Sequence, residues 1–177
     1  MSNYEAMEAK MIEVGVGLRS EHYQAAMTPA SIDFVEVHAE NFFAKGGAAQ
    51  DILKAVSEHY EISLHGTSLG LGSFHPPPLS HLQKMKRLVD DYSPYLISDH
   101  ACFSWSKEHN SPVHAGDLLP ILFNTETLEV MIKNINRVQD LFGQQILLEN
   151  ISSYIPMHDD TPTVYDGYQK SKAGAYS

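Results

Sequence analysis

Five short apolar runs alternate along this chain with segments of helical period, and that alternation is the pattern of a parallel sheet whose crossovers are helices. The runs are Ile12 to Leu18, Ile32 to His38, Glu61 to His65, Tyr95 to His100 and Gln145 to Leu148. Between them, Ser20 to Met27 reads as a helix closed by Pro29, and Ala48 to Tyr60 places Ile52, Leu53, Val56 and Tyr60 on one stripe. Ser80 with Gln83 fits a capping box opening a helix that carries Leu82, Met85, Val89 and Tyr92 and stops before Pro94. Asn124 or Thr125 can cap a further helix with Leu128, Ile132, Ile135, Val138 and Phe142 on its stripe and Gly143 at its end.

Two stretches break the alternation. Gly66, Gly70, Gly72 and the prolines 76–78 exclude regular structure after the third run, and the glycines are expected to let the backbone pass close to a bound group. Ala101 to Phe123 is long for a connector and is expected to be a lid over a site. From Pro156 onward neither period is present, so residues 1–155 are read as one domain and 156–177 as an irregular or disordered tail. The expected fold class is α/β: a partial (β/α) TIM-type barrel of about five parallel strands with intervening helices. An eight-fold barrel takes about 250 residues, and five strands cannot close one. The open edge at Ile146 to Leu148 is a liability that the tail, a second copy of the chain in a homodimer, or a further fragment would cover.

In such a barrel chemistry gathers at the carboxyl ends of the strands. Here those ends are polar: His38, Glu40 and Asn41 after the second run, His65 at the third, Asp99 and His100 at the fourth, Glu149 and Asn150 at the fifth. Imidazole and carboxylate together suit zinc, iron or manganese, whereas thiolates would have indicated a structural zinc or a cluster. Of the remaining histidines, His22, His59, His75, His81, His109 and His158 read as solvated; His114, in the long loop beside Asp117, is the one with an acidic neighbour that could draw it into a site. Cys102 reads as a small buried hydrophobe.

Charge and cysteine usage narrow the partners. With 22 acidic against 12 basic residues and a formal charge of −10, the chain carries no nucleic-acid footprint and no affinity for an anionic membrane surface. A single cysteine, no signal-peptide pattern at the start and no apolar run of about 18 residues lead to the expectation of a soluble, cytoplasmic protein.

The stretches Gly15-Val-Gly-Leu-Arg19, Glu36-Val-His-Ala-Glu-Asn-Phe42, Leu64-His-Gly-Thr-Ser-Leu-Gly70, Ser98-Asp-His100 and Leu147-Leu-Glu-Asn-Ile-Ser-Ser153 resemble, in order, motifs of the multinuclear non-haem iron-dependent oxidases, the family of the methanobactin-biosynthesis oxidase. That family is similar to xylose-isomerase-like barrels. The resemblance implies two or three irons at the strand ends and oxidation of cysteine or other residues in ribosomally made precursor peptides, with a peptide-binding partner protein assisting. It makes His65, His100 and Glu149 the iron ligands, with Glu149 able to bridge two ions, and leaves His38, Glu40, Asn41, Asp99 and Asn150 as supporting residues around them. The match covers roughly residues 12–155. The family's later ligands, carried on three further β/α units, have no counterpart here, and His158, Asp159, Asp160 and Asp166 do not reproduce their spacing. The chain is therefore expected to be an N-terminal portion of such a barrel. The alternatives are a metal-dependent hydrolase or isomerase on the same barrel, with zinc or manganese as the ion, and a non-enzymatic binding remnant.

Overall fold

The structure is a computed structural model that describes residues 12–152; the tail expected over 156–177, with His158, lies outside them. Five parallel strands, β1 (Gly15–Gly17), β2 (Phe34–His38), β3 (Glu61–His65), β4 (Leu96–Ala101) and β7 (Leu147–Asn150), form one sheet in that spatial order. The helices α1 (Tyr23–Ala26), α2 (Ala48–Ser57), α3 (Leu79–Tyr92) and α4 (Thr125–Phe142) lie between them in the chain. The result is a curled half-barrel, a partial β/α barrel of the expected kind.

Alternation along each strand gives the sheet two chemically distinct faces. Val35, Val37, Ile62, Leu64 and Ile97 are buried in one apolar cluster with Leu53 and Val56 of α2, Leu82, Met85, Leu88 and Val89 of α3, and Val138 and Phe142 of α4. Each such side chain contributes about 1.5–3 kcal/mol when fully buried. The opposite face carries Glu36, His38, Ser63, His65, Ser98, His100 and Glu149, so the polar residues are gathered on the side without helices.

Several local expectations change. Only Gly15–Gly17 of the first run pairs as a strand, and Val14 and Val16 remain exposed. The capping box at Ser80 does not form: α3 starts at Leu79, Pro78 occupies the cap position, and its carbonyl receives the His81 and Leu82 amides. At α4 the expected cap is present, Asn124 accepting the Thr127 amide at 2.9 Å, and Gly143 closes the helix at φ 78°. The α4 stripe is buried only in its C-terminal half; Leu128 and Ile132 are exposed. The helix is also held by a polar group, the buried Asn134, whose amide donates to the carbonyls of Leu71 and Ser73 at 2.9 Å each.

Ala101 to Phe123 contains a β-hairpin of β5 (Phe103–Glu108) and β6 (Ser111–Leu119), turned at His109 and Asn110, both at positive φ. It is fastened to the loop after β3: Ser73 Oγ accepts the amides of Ser104 and Trp105, and the Trp105 indole donates to the Ser68 carbonyl at 2.7 Å. The glycines of that loop make room for protein, contrary to the expectation of a bound group. A Cβ on Gly66 would meet Asp99 Oδ2 at 2.4 Å, and one on Gly72 would meet Ile121 at 2.5 Å.

Because Asn134 bridges a helix to an irregular loop through two buried bonds, Asn134→Ala leaves two carbonyls without donors. We predict a loss of about 1–3 kcal/mol in denaturant unfolding; a change below about 0.5 kcal/mol would show that the bridge is not needed.

Candidate metal centre

The site follows from register. In β2, β3 and β4, His38, His65 and Ser98 stand level with one another, and one step of the alternation further on His100 stands level with Glu149 of β7. Paired residues of parallel strands point to the same side, so these groups share one face at the carboxyl end of the sheet. The rings of His65 and His100 lie 4.8 Å apart, and those of His38 and His65 5.3 Å apart.

Among the described residues, His65, His100 and Glu149 each offer a ligand atom within 4.8 Å of the others. His100 Nε2 and Glu149 Oε2 are 3.7 Å apart, too far for a hydrogen bond but a fitting span across an ion bound by each at about 2.1 Å. His100 is buried and its Nδ1 has no hydrogen-bond partner, whereas the Glu149 side chain is 59% exposed. A buried polar atom left unpaired costs about 1–3 kcal/mol, which a ligand at this ring would offset. The donor chemistry and the unpartnered imidazole both fit a divalent metal. Burial, followed by the neighbouring His100, lowers the His65 pKa against the opposing pull of Glu36 and Glu149, so this ring is neutral at pH 7 and has a lone pair to give.

The other residues singled out from sequence divide by face and depth. His38 is exposed and edge-on to His65. Glu40 lies just beyond β2, and its Oε1 accepts the Thr67 amide at 2.8 Å and the Ser68 hydroxyl while Oε2 is buried without a partner. Asn41 is exposed. Asp99 and Asn150 alternate with His100 and Glu149 and so belong to the opposite face of the sheet. Asp99 is fully buried there, accepting the amides of Leu69 at 3.1 Å and His100 at 2.6 Å, and burial raises its pKa to about 7 despite those bonds. It ties the loop after β3 to the strand that carries His100.

Sequence reasoning missed three groups. Glu36 shares the ligand face and accepts from Ser63 at 3.1 Å; Ser98 lies 2.8 Å from His65 Nδ1. Alternation through Glu36-Val-His38 and Ser98-Asp-His100 would have found both. His81, read as solvated, is instead packed edge-on to Phe43 and Trp105 and bonded to Ser68 Oγ at 2.7 Å; burial lowers its pKa. No local pattern signals that environment. His114 stacks against Trp105 at 4.8 Å, and its Nδ1 accepts the Gly116 amide. Cys102 is buried, its thiol pushed up to about 11 by burial, so it is a poor source of thiolate.

A family profile described as the RiPP precursor modification enzyme MbnB/TglH/ChrH matches residues 13–166. A UPF0276 protein of Chromobacterium violaceum is 40% identical over 147 residues, which is 82% of this chain and 51% of that protein. One of Psychromonas ingrahamii is 37% identical over 147 residues (82% and 50%), and UPF0276 protein VV3194 of Vibrio vulnificus is 41% identical over 150 residues (84% and 50%). The chain thus spans about half the length of the curated relatives it matches.

Asp99 gives the site's surroundings a pH signature. Its folded pKa of about 7 lies above the unfolded value of about 3.9, so the folded state binds the extra proton between these limits and stability falls as pH rises from about 4 to 7. In Asp99→Asn that component of the pH dependence should vanish from denaturation curves recorded across the range; an unchanged profile would mean that Asp99 is ionised throughout.

Proposed function

The chain belongs to the RiPP precursor modification enzyme family MbnB/TglH/ChrH, and from that membership we propose that it holds iron through His65, His100 and Glu149 and takes part in oxidative modification of a ribosomally made precursor peptide. The observation that carries the reading is the convergence of two imidazoles and one carboxylate within 4.8 Å at the ends of three strands. Two histidines and a carboxylate with positions left open are the donor set of non-haem iron(II) oxygenases. When bound, iron supplies a change of valence that no side chain of this chain can provide.

The residues have separate tasks on this reading. His65 and His100 hold the ion as neutral donors, and Glu149 adds the negative charge and, being exposed, the mobility to adjust to it. His38 lines the mouth from which a peptide approaches. Asp99 and Glu40 act from behind by pinning residues 67–69, directly after the ligand His65.

The partners are the precursor peptide, a peptide-binding partner protein, and a polypeptide against the open sheet edges. A second copy of the chain is one candidate for that last role, since Leu147 and Leu148 at one edge and Val16 at the other are exposed apolar groups. Among the described residues no helix is long and apolar enough to cross a membrane. We place the protein in the cytoplasm, where the buried Cys102 stays a free thiol.

Elemental analysis of anaerobically purified protein tests the reading, with iron expected. His65→Ala and His100→Ala should each abolish most metal uptake while circular dichroism stays unchanged, and Glu149→Gln should weaken uptake by about tenfold or more. Zinc or manganese in place of iron would transfer the site to a metal-dependent hydrolase or isomerase. No bound metal, or unchanged uptake in both histidine variants, would overturn the assignment and leave a binding remnant.

A further inference from the structure

We propose that Ser98 is a positioning residue for the metal centre: its hydroxyl accepts the Nδ1 proton of His65 and thereby leaves Nε2 of that ring as the bare nitrogen offered to the ion. The inference rests on the reading of His65 as a ligand and adds a role to a residue outside the ligand set.

The geometry starts from the sheet. Ser98 and His65 are register partners on neighbouring parallel strands, so their side chains rise side by side from the same face, and Nδ1 and Oγ are 2.8 Å apart. A neutral imidazole carries one N–H and one lone pair, and whichever nitrogen is tied up by a neighbour decides which is left for a metal. His65 is neutral at pH 7 because burial and the adjacent His100 oppose its protonation. With Nδ1 facing Ser98, the other nitrogen is the one available to the ion. His38, the neighbour on the opposite side, meets the ring edge-on at 5.3 Å between centroids.

Alternation then couples two functions in one strand. Ser98 and His100 are two residues apart on β4 and share a face, so a single strand delivers one ligand and the group that orients the ligand of its neighbour. Asp99 between them points the other way and holds the loop after His65 through the Leu69 amide. Three consecutive residues therefore fix one ligand, the ring orientation of a second and the chain that follows it. Partners that orient metal-bound histidines in this way typically govern about 10–100-fold in metal affinity.

The test uses the 15N-histidine-labelled chain, free of metal and then titrated anaerobically with iron(II) alone. The nitrogen shifts of the unsubstituted protein should show His65 as the Nδ1–H tautomer. Ser98→Ala should lose that preference and bind iron(II) about 10–100-fold more weakly, with Ser98→Thr restoring both. An Nε2–H tautomer in the unsubstituted protein, undiminished affinity in Ser98→Ala, or failure of the threonine to restore either property would overturn the role. If the unsubstituted chain takes up no iron, the metal reading fails, while the tautomer measurement on the metal-free chain still decides what Ser98 does to His65.

Discussion

Register between parallel strands is the constraint from which the rest of this structure follows. Once β3 and β4 pair with His65 level with Ser98, the two-residue period of a strand puts His100 one step beyond on the same face, and pairing with β7 brings Glu149 level with it. No loop has to find its way to the site, because the backbone ladder sets the spacing of the ligands before any side chain is placed. The register is in turn fixed by the other face. A slip of one residue would carry Val35, Val37, Ile62, Leu64 and Ile97 out of the core shared with α2, α3 and α4 and drive charged and imidazole groups into it. Packing on one side of the sheet therefore enforces chemistry on the other.

Burial sorts the ionisable groups into those that can bind a metal and those that cannot. His65 is held neutral, which suits a nitrogen donor, and Glu149 stays at the surface where a carboxylate is inexpensive to ionise. Cys102 lies close in sequence to His100 but is sealed in the interior with its thiol pushed up to about 11, so sulfur takes no part. Glu40 and Asp99 use their acceptor capacity on backbone amides of residues 67 and 69 and so stabilise the turn that leaves the ligand strand. The two carboxylates brace the site without facing the ion.

Much of this was legible in the sequence, for physical reasons that differ by element. β3 and β4 read correctly because short apolar runs bounded by turn residues have few alternatives in a chain with helical segments between them, and the polar residues closing them marked the working end of the sheet. Alternation would also have separated His100 from Asp99 and Glu149 from Asn150, since adjacent strand residues must face opposite ways. What remained hidden depends on contacts distant in the chain. The cage of Phe43 and Trp105 around His81, the close approach of Asp99 to Gly66 and the Asn134 bridge to Leu71 and Ser73 join residues as much as 63 positions apart, and no local period encodes them. The failed capping box has a simpler cause: Pro78 fits the extended conformation of the cap position, and the helix begins one residue before Ser80 could serve.

The central claim is that one ion sits between two imidazoles and a carboxylate on neighbouring strand ends. Anomalous diffraction at the iron absorption edge, on crystals of the iron-loaded protein, measures this directly. An anomalous peak within bonding distance of His65, His100 and Glu149 together is the expected result; a peak elsewhere in the molecule, or contact with fewer than two of these side chains, would contradict it.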